Sequence, residues 1–333
     1  VRGGEGCGCD GRGGGVGGGE DEECCGWRDS EERGFGRGCH ENECGDDGGG
    51  GSCGSCGSEA WCDDGSCVEG LGMYELAPAG EFTMGSPAGQ HCSDPGEVQH
   101  SVEISRAFYV KKWEVTQTEW GYLFPDNPAL FDLCQDCPVE RVTWYEALSY
   151  CNAISALMGF EQCYGLEGCV GTVGVDFECE TATFSGLDCN GFRLPTESEW
   201  EYAGRAGSVN TYPYAQPANS LECGCGELPI LDDIGWYCYN ANSATHSVAG
   251  RVPNSWSLYD MAGNVAEWTS DWHGAYPIDP VAVDPMGVDS SCCKVFRGGS
   301  YQSNAMQCRV VHRNFLFPNG RSEQVGFRPV RTQ

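Results

Sequence analysis

The residues best suited to do chemistry lie near the C-terminus, around one cysteine. Ser303 and Cys308 are five residues apart, after the glycine pair 298–299. Cu(I) is a soft ion that is bound best by paired thiolates, and a serine hydroxyl is a poor ligand for it. A single thiol with a hydroxyl is therefore a poor metal site, and no residue of this segment is a confident catalytic candidate.

The elements that position this segment begin with three helix-start patterns. Thr-x-x-Glu occurs at Thr116, Thr143 and Thr196, where the threonine and the glutamate can cap each other's backbone N–H groups. The second pattern predicts a helix from Trp144 to about Met158, and the third predicts one over 197–206. Alternating apolar and polar residues predict short strands over 81–84, 102–104, 108–110, 295–297 and 327–330. Segments 160–192 and 208–250 show no periodicity, so we expect an α+β domain with little regular secondary structure.

The 24 cysteines are too many for a reducing cytosol, and their even number suits twelve disulfides. Zinc is the alternative for the two Cys-x-x-Cys pairs at 53–56 and 134–137. Neither pair has a partner pair at zinc-finger spacing, which favours disulfides. A disulfide-rich chain is expected to be secreted, either extracellular or at the cell surface.

The charge of the chain is strongly negative, with 49 acidic and 19 basic residues and a formal net charge of −30. Such a field repels phosphate backbones and anionic lipid headgroups, and it attracts divalent cations. Nucleic-acid binding is therefore not expected. A membrane span is not expected either, because no apolar run is long enough to cross a bilayer.

Residues 1–70 differ in composition from residues 71–333. They hold 24 of the 50 glycines and 10 of the 24 cysteines, with few aliphatic residues. A segment of this kind cannot bury enough apolar surface to fold by its core alone. We expect residues 1–70 to be a Gly/Cys-rich, disulfide-stabilised arm or linker, and residues 71–333 to be one globular domain.

The motifs of the second part follow a recognisable order. The blocks are Pro78–Ser86, Glu114–Gln117, Arg193–Ala203, Asn254–Trp268, Arg297–Ser300 and Gly326–Arg328. In this order they resemble the formylglycine-generating enzyme, or sulfatase-modifying factor, family. The resemblance implies a variant of the C-type lectin fold from 73 to 330, rich in disulfides and poor in regular secondary structure.

In the copper oxidases of that family, two cysteines five residues apart hold Cu(I). Cys308 stands at the second position, and Ser303 replaces the first, so the resemblance implies a degenerate copper site at Ser303 and Cys308. We expect Cys308 to pair with another cysteine in a disulfide. The alternative is that Cys292 or Cys293 replaces the lost copper ligand.

The family resemblance also implies a calcium site, with two ligands from side chains and two from backbone carbonyls. The matching residues are Asp260, Gly263, Val265 and Glu267. Oxygen ligands suit a hard cation, and a glycine permits a tight turn. The alternative is a turn in which the two carboxylates cap backbone N–H groups.

Five arginines of these blocks stand out in so acidic a chain. The resemblance implies that they pair with buried carboxylates such as Glu199 and Glu201, and a substrate-binding role is the secondary reading. They are Arg193, Arg297, Arg309, Arg313 and Arg328.

Two functions remain open. The first is a secreted, non-catalytic, lectin-like module stabilised by calcium and disulfides. It would bind an extracellular protein or glycan, or assemble with itself into a fibre or surface layer. The second is a copper-dependent oxidase acting on sulfatase cysteine motifs. Retention of copper with turnover of a Cys-x-Pro-x-Arg peptide would favour the second.

Overall fold

The computed structural model describes residues 60–63, 66–69, 71–90, 92–210, 212, 223–276 and 281–333. Most of the predicted arm 1–70 therefore lies outside the described residues. In the described ranges a 3-10 helix spans Leu71–Met73, and the α-helices are α1 Gln117–Leu123, α2 Trp144–Leu157, α3 Glu197–Arg205 and α4 Pro229–Ile234. The strands are β1 Ala60–Asp63, β2 Ser66–Glu69, β3 Tyr74–Ala77, β4 Gly80–Met84, β5 His100–Ile104, β6 Phe108–Lys111, β7 Tyr164–Glu167, β8 Thr181–Phe184, β9 Phe192–Arg193, β10 Ala266–Trp272, β11 Ala282–Val283, β12 Lys294–Arg297, β13 Arg313–Leu316, β14 Val325–Gly326 and β15 Val330–Thr332.

The strands form small sheets whose members come from distant parts of the chain. One four-stranded sheet has the order β13-β12-β10-β14, with β10 and β14 parallel and the other pairs antiparallel. A second has the order β3-β6-β15-β9 and is antiparallel. A three-stranded sheet has the order β11-β5-β4, and β1-β2 and β7-β8 are hairpins. Because β15 pairs with both β6 and β9, the C-terminal strand closes the domain.

All three predicted helix starts are confirmed. The side chains of Thr116, Thr143 and Thr196 each accept a hydrogen bond from the backbone N–H of the glutamate three residues later. Each glutamate in turn accepts from the backbone N–H of its threonine. α2 ends at Leu157, one residue before the predicted end.

The strand predictions are confirmed except at two places. The segment predicted as one strand over 327–330 is divided between β14 and β15, with fully buried Phe327 and Arg328 between them. The segment 160–192, which has no predicted strand, contains the hairpin β7-β8. Its strands do alternate, because one face packs against the core and the other is exposed, so the interpretation that this segment lacks periodicity is wrong here. The residues of the inner face are Tyr164, Leu166, Ala182 and Phe184.

Buried ion pairs tie the helices to the sheets, and this confirms the predicted role of the arginines. Arg193 binds Glu199 at 2.6 Å, and Arg297 contacts Glu201. The other three arginines also bind buried glutamates: Arg309 binds Glu97, Arg313 binds Glu197 and Arg328 binds Glu267. A buried pair is costly to break, since the remaining charge is left without a partner.

Disulfides link several of the loops. They are Cys92–Cys223, Cys134–Cys137, Cys163–Cys189, Cys169–Cys179, Cys225–Cys238 and Cys292–Cys293. The Cys-x-x-Cys pair at 134–137 is thus a disulfide and not half of a zinc site. The expectation that all cysteines pair is wrong, because Cys151 and Cys308 are free thiols buried in the core.

Candidate functional site

A small polar cavity lies where β12 ends and the chain turns back toward β13. Its volume is about 150 Å³. The loop that follows β12 supplies Ser300, Ser303 and Gln307, and the segment before β14 supplies Ser322 and Gln324. The complete lining is Ala266, Phe296, Arg297, Gly298, Gly299, Ser300, Ser303, Gln307, His312, Asn314, Ser322, Gln324 and Val325.

Ser303 lies on the wall of this cavity, and its hydroxyl is held in a fixed network. Its Oγ accepts from the backbone N–H of Ser300 at 2.9 Å and lies 3.2 Å from the Ser300 Oγ. The Ser300 hydroxyl donates to Gln324 Oε1 at 2.9 Å. The Ser303 oxygen therefore stabilises the conformation of its own loop.

Cys308 lies behind the cavity wall and is not among the lining residues. It is fully buried, in an apolar cluster with Tyr237 and Ala305. Gly299 separates it from the cavity: a Cβ at Gly299 would lie 2.9 Å from the Cys308 Sγ, and its φ of +71° favours glycine. Burial raises the pKa of the Cys308 thiol, which disfavours the thiolate that Cu(I) binds.

The prediction that Cys308 forms a disulfide is wrong, because it is a free thiol. The alternative, that Cys292 or Cys293 replaces the missing copper ligand, is disfavoured as well, because these two cysteines are bonded to each other.

A buried carboxylate, Glu97, contacts Arg309 behind the cavity wall and His312, which lines the cavity. Glu97 accepts from both guanidinium nitrogens of Arg309, at 2.7 and 2.8 Å, and its Oε1 lies 3.5 Å from the His312 Nδ1. Burial alone would raise the pKa of Glu97. The nearby His312 ring, the two hydrogen bonds from Arg309 and the positive charge of Arg309 outweigh it and lower the pKa to about 2.

This depressed pKa predicts a loss of stability in acid. Glu97 titrates near 4.5 when unfolded, so its contribution is complete above that pH and disappears as the pH falls from 4.5 to about 2. We expect the native protein to be more stable than Glu97→Gln at pH 6. The difference between their free energies of unfolding should be about 3 kcal/mol larger at pH 6 than at pH 2. Urea denaturation of both proteins across this range measures the difference. A constant difference would contradict the prediction.

The segment matched to a calcium site contains one oxygen that is free for a cation. Asp260 is buried, its Oδ2 accepts from the Ala249 N–H at 2.7 Å, and its Oδ1 has no hydrogen-bond partner. Gly263 has φ +92°, and a Cβ there would lie 2.1 Å from the Trp236 carbonyl oxygen, so the turn requires glycine. Val265 is fully buried just before β10.

Glu267 does not fit the same role. Its Oε2 accepts from Trp200 Nε1 at 2.6 Å and from Arg328 Nε at 2.7 Å, and its Oε1 accepts from an Arg328 NH2 at 2.7 Å. Both oxygens are engaged with side-chain donors, whereas the alternative predicted backbone N–H groups, which only Asp260 accepts from. The donor set thus fits a cation at Asp260 and does not fit one at Glu267.

Sequence reasoning missed Glu114, which follows β6. It is fully buried, and neither carboxylate oxygen has a hydrogen-bond partner. Burial, and then repulsion by Asp260 and Glu267, raises the pKa of Glu114. The only signal in the sequence was its place in the family block Glu114–Gln117. Among the described residues, no group of three or more His, Cys, Asp or Glu side chains is arranged to hold a metal.

A second cavity, of about 390 Å³, was also missed. Lys294 lies in its wall, with its Nζ 4.0 Å and 3.8 Å from the ring centres of Trp144 and Trp272 and 2.8 Å from the Ser270 carbonyl oxygen. Burial lowers the pKa of Lys294 to about 7. The Lys294 Nζ already contacts two aromatic rings and a carbonyl oxygen. We therefore assign Lys294 a packing role.

Comparison with known proteins defines the family to which this fold belongs. The fold is shared with two solved structures: Treponema denticola variable protein 1 (28% identity, TM-score 0.65, covering 78% of this chain and 95% of that one) and PvdO from Pseudomonas aeruginosa (22%, 0.61, 78% and 94%). The family model of the sulfatase-modifying factor enzyme 1-like domain matches residues 73–333. The chain belongs to this family, which confirms the α+β fold implied by the motifs.

Two relatives illustrate the range of the family. The chaperone protein LppX of Paenibacillus barcinonensis is 32% identical over 239 residues, which cover 68% of this chain and 80% of LppX. The formylglycine-generating enzyme of Streptomyces coelicolor is 35% identical over 148 residues, covering 41% of this chain and 46% of the enzyme. The match thus spans less than half the length of that enzyme. No helix in the described ranges is long and apolar enough to cross a membrane.

Proposed function

We propose that this chain is a non-catalytic binding module of its family, with the cavity beside Ser303 as its ligand site. The observation that carries this proposal is the separation of the two residues at the copper positions. Ser303 reaches the cavity but is a hydroxyl, and Cys308 is a thiol but lies buried behind Gly299. Two of the similar proteins bear the names chaperone protein and variable protein, and neither name denotes an oxidase.

The setting proposed for the module is extracellular. Six disulfides within the described residues are typical of an oxidising compartment. The partner would be an extracellular protein or glycan, or a second copy of the chain in a fibre or surface layer. The Gly/Cys-rich residues 1–70 are the proposed assembly segment, since such a segment gains most by docking onto a neighbour.

The test of this proposal is a turnover assay. The purified chain is loaded with Cu(I) and given O₂, a reductant and a Cys-x-Pro-x-Arg peptide, and an aldehyde-capture reagent detects any formylglycine formed. We expect no aldehyde above a copper-only control, with a relative that retains both cysteines as the positive control. Aldehyde that disappears in Cys308→Ala would establish the oxidase instead.

One observation favours that second candidate, a copper-dependent oxidase. Cys308 is a free thiol and not part of a disulfide, so copper has one sulfur ligand to bind if the wall at Gly299 opens. Alkylation of the native protein, followed by mass spectrometry, measures how accessible this thiol is. Slow labelling of Cys308 compared with the unfolded chain supports the binding module.

We also propose that Ca²⁺ binds at the turn that contains Asp260. Gly263 and Val265 would contribute the carbonyl oxygens that the family resemblance implies. Glu114, in place of Glu267, would be the second side chain. Three buried carboxylate oxygens of Asp260 and Glu114 lack partners, and a bound cation would offset the cost of burying them.

Calcium is therefore expected to stabilise the fold. At a concentration 100-fold above the dissociation constant, it should raise the melting temperature by roughly 5–10 °C relative to EDTA. Asp260→Asn and Glu114→Gln should reduce this shift, whereas Glu81→Gln, at an exposed position, should leave it unchanged. Equal melting temperatures with calcium and with EDTA would contradict the calcium site. They would indicate that the carboxyl groups of Asp260 and Glu114 are protonated instead.

A further inference from the structure

The cavity beside Ser303 is lined by three side-chain amides. They are Gln307, Asn314 and Gln324. A carboxamide has one acceptor end and one donor end, so the protein contacts of each oxygen determine which end remains for a ligand.

The oxygen end of each amide is already used by the protein. The Asn314 Oδ1 accepts from the Phe315 backbone N–H at 2.9 Å, and the Gln307 Oε1 accepts from the Asn304 backbone N–H at 3.1 Å. A backbone N–H can only donate, so these contacts fix the orientation of both amides.

The third amide is oriented by a hydroxyl. Gln324 Oε1 accepts from the Ser300 hydroxyl at 2.9 Å. The Ser300 Oγ also accepts from the Gln302 backbone N–H at 3.3 Å. In all three side chains the NH₂ group is the end that remains for a ligand.

The charges around the cavity also favour an acceptor. No Asp or Glu occurs among the described residues that line it, in a chain of net charge −30. Arg297 and His312 do line it, and the carboxylates that contact them, Glu197, Glu201 and Glu97, are buried and do not line it. The described lining therefore has donor-bearing side chains and no carboxylate of its own.

The size of the cavity limits what enters it. Its volume of about 150 Å³ is half the lower bound of roughly 300 Å³ for pockets that enclose a drug-sized ligand. It therefore has room for one end group of a larger molecule.

We propose that this cavity binds a terminal carboxylate, with the NH₂ groups of Gln307, Asn314 and Gln324 as its hydrogen-bond donors. This inference rests on the proposed binding function. A carboxylate is an acceptor at both oxygens, and hydrogen bonds to a charged acceptor are roughly twice as strong as neutral ones. The C-terminus of an extracellular protein carries such a group.

The test compares two probes that differ only at the end group. N-acetyltriglycine, with a free carboxylate, and its C-terminal amide are titrated into the full chain, with disulfides intact, by calorimetry or NMR. We expect the acid to bind about tenfold more tightly than the amide.

Isosteric variants locate the site. Asn314→Asp and Gln324→Glu keep the oxygen that accepts the internal hydrogen bond and replace the free NH₂ group by a second, negatively charged oxygen. Each should weaken binding of the acid at least about tenfold. Gln302→Glu adds the same charge at an exposed residue that does not line the cavity, and it should have less than about a twofold effect.

The outcomes separate this inference from the proposed function. Equal binding of acid and amide, no saturable binding of the acid, or equal effects of all three variants would overturn the carboxylate site. These results do not depend on the turnover assay. The proposed binding module would therefore stand as long as that assay yields no aldehyde. Copper-dependent turnover would overturn both the binding module and the carboxylate site.

Discussion

Replacing Arg328 by methionine should destabilise the domain by about 3–5 kcal/mol, because it leaves buried carboxylates without their counter-ion. Arg328 is fully buried and uses all five of its N–H donors. Three of its hydrogen bonds go to backbone carbonyls: Lys111 and Lys112 at 3.0 Å and Tyr259 at 2.8 Å. The other two go to Glu267 at 2.7 Å.

This arrangement explains why lysine should not substitute. An ammonium group has three donors and no planar fork, so Arg328→Lys cannot serve Glu267 and three carbonyls together. Urea denaturation with intact disulfides measures the free energy of unfolding. The matched control is Arg106→Met, which breaks an exposed pair with Asp188 and should cost less than about 1 kcal/mol.

A double-mutant cycle isolates the ion pair from the other contacts. Glu267→Gln removes the charge but keeps the shape, and Arg328→Met with Glu267→Gln should cost less than the sum of the two single variants. Additive losses would show that the two side chains contribute independently. If Arg328→Met lowers the free energy of unfolding no more than Arg106→Met does, the cost of desolvating Arg328 and Glu267 cancels the stabilisation from their ion pair.

The second large effect concerns copper. The native chain should bind Cu(I) no more tightly than Cys308→Ala, because its one thiol at this place is buried and protonated. Ser303→Cys places a sulfur on the cavity wall itself, and under reducing conditions it should raise the affinity for Cu(I) at least about tenfold. Competition with a chromogenic Cu(I) chelator measures both.

The comparison with Cys308→Ala is needed because other cysteines of the chain can also bind copper. Residues 1–70 alone hold 10 cysteines. Subtracting the affinity of Cys308→Ala removes their contribution. Loss of Cu(I) affinity in Cys308→Ala relative to the native chain would contradict the prediction and favour the oxidase.

Local signals in the sequence determined the helix starts and the family. Thr116, Thr143 and Thr196 mark their helices because a capping box forms within four consecutive residues. The family blocks carry the fold because each contains residues that pack or pair in the core, such as Arg193 with Glu199. The sequence alone likewise shows that Ser303 stands where the family's copper oxidases have a cysteine.

Only the tertiary structure decided how the site is arranged. That Cys308 is a free thiol behind Gly299 depends on a contact between two turns of a loop, which spacing does not encode. Glu114 and Asp260 lie 146 residues apart, and only the fold brings their charges close enough to repel each other. The orientation of the amides of Gln307 and Asn314 depends on backbone N–H groups placed by loop geometry. Composition and motifs determine which groups the chain has, and long-range packing determines which of them remain free to bind.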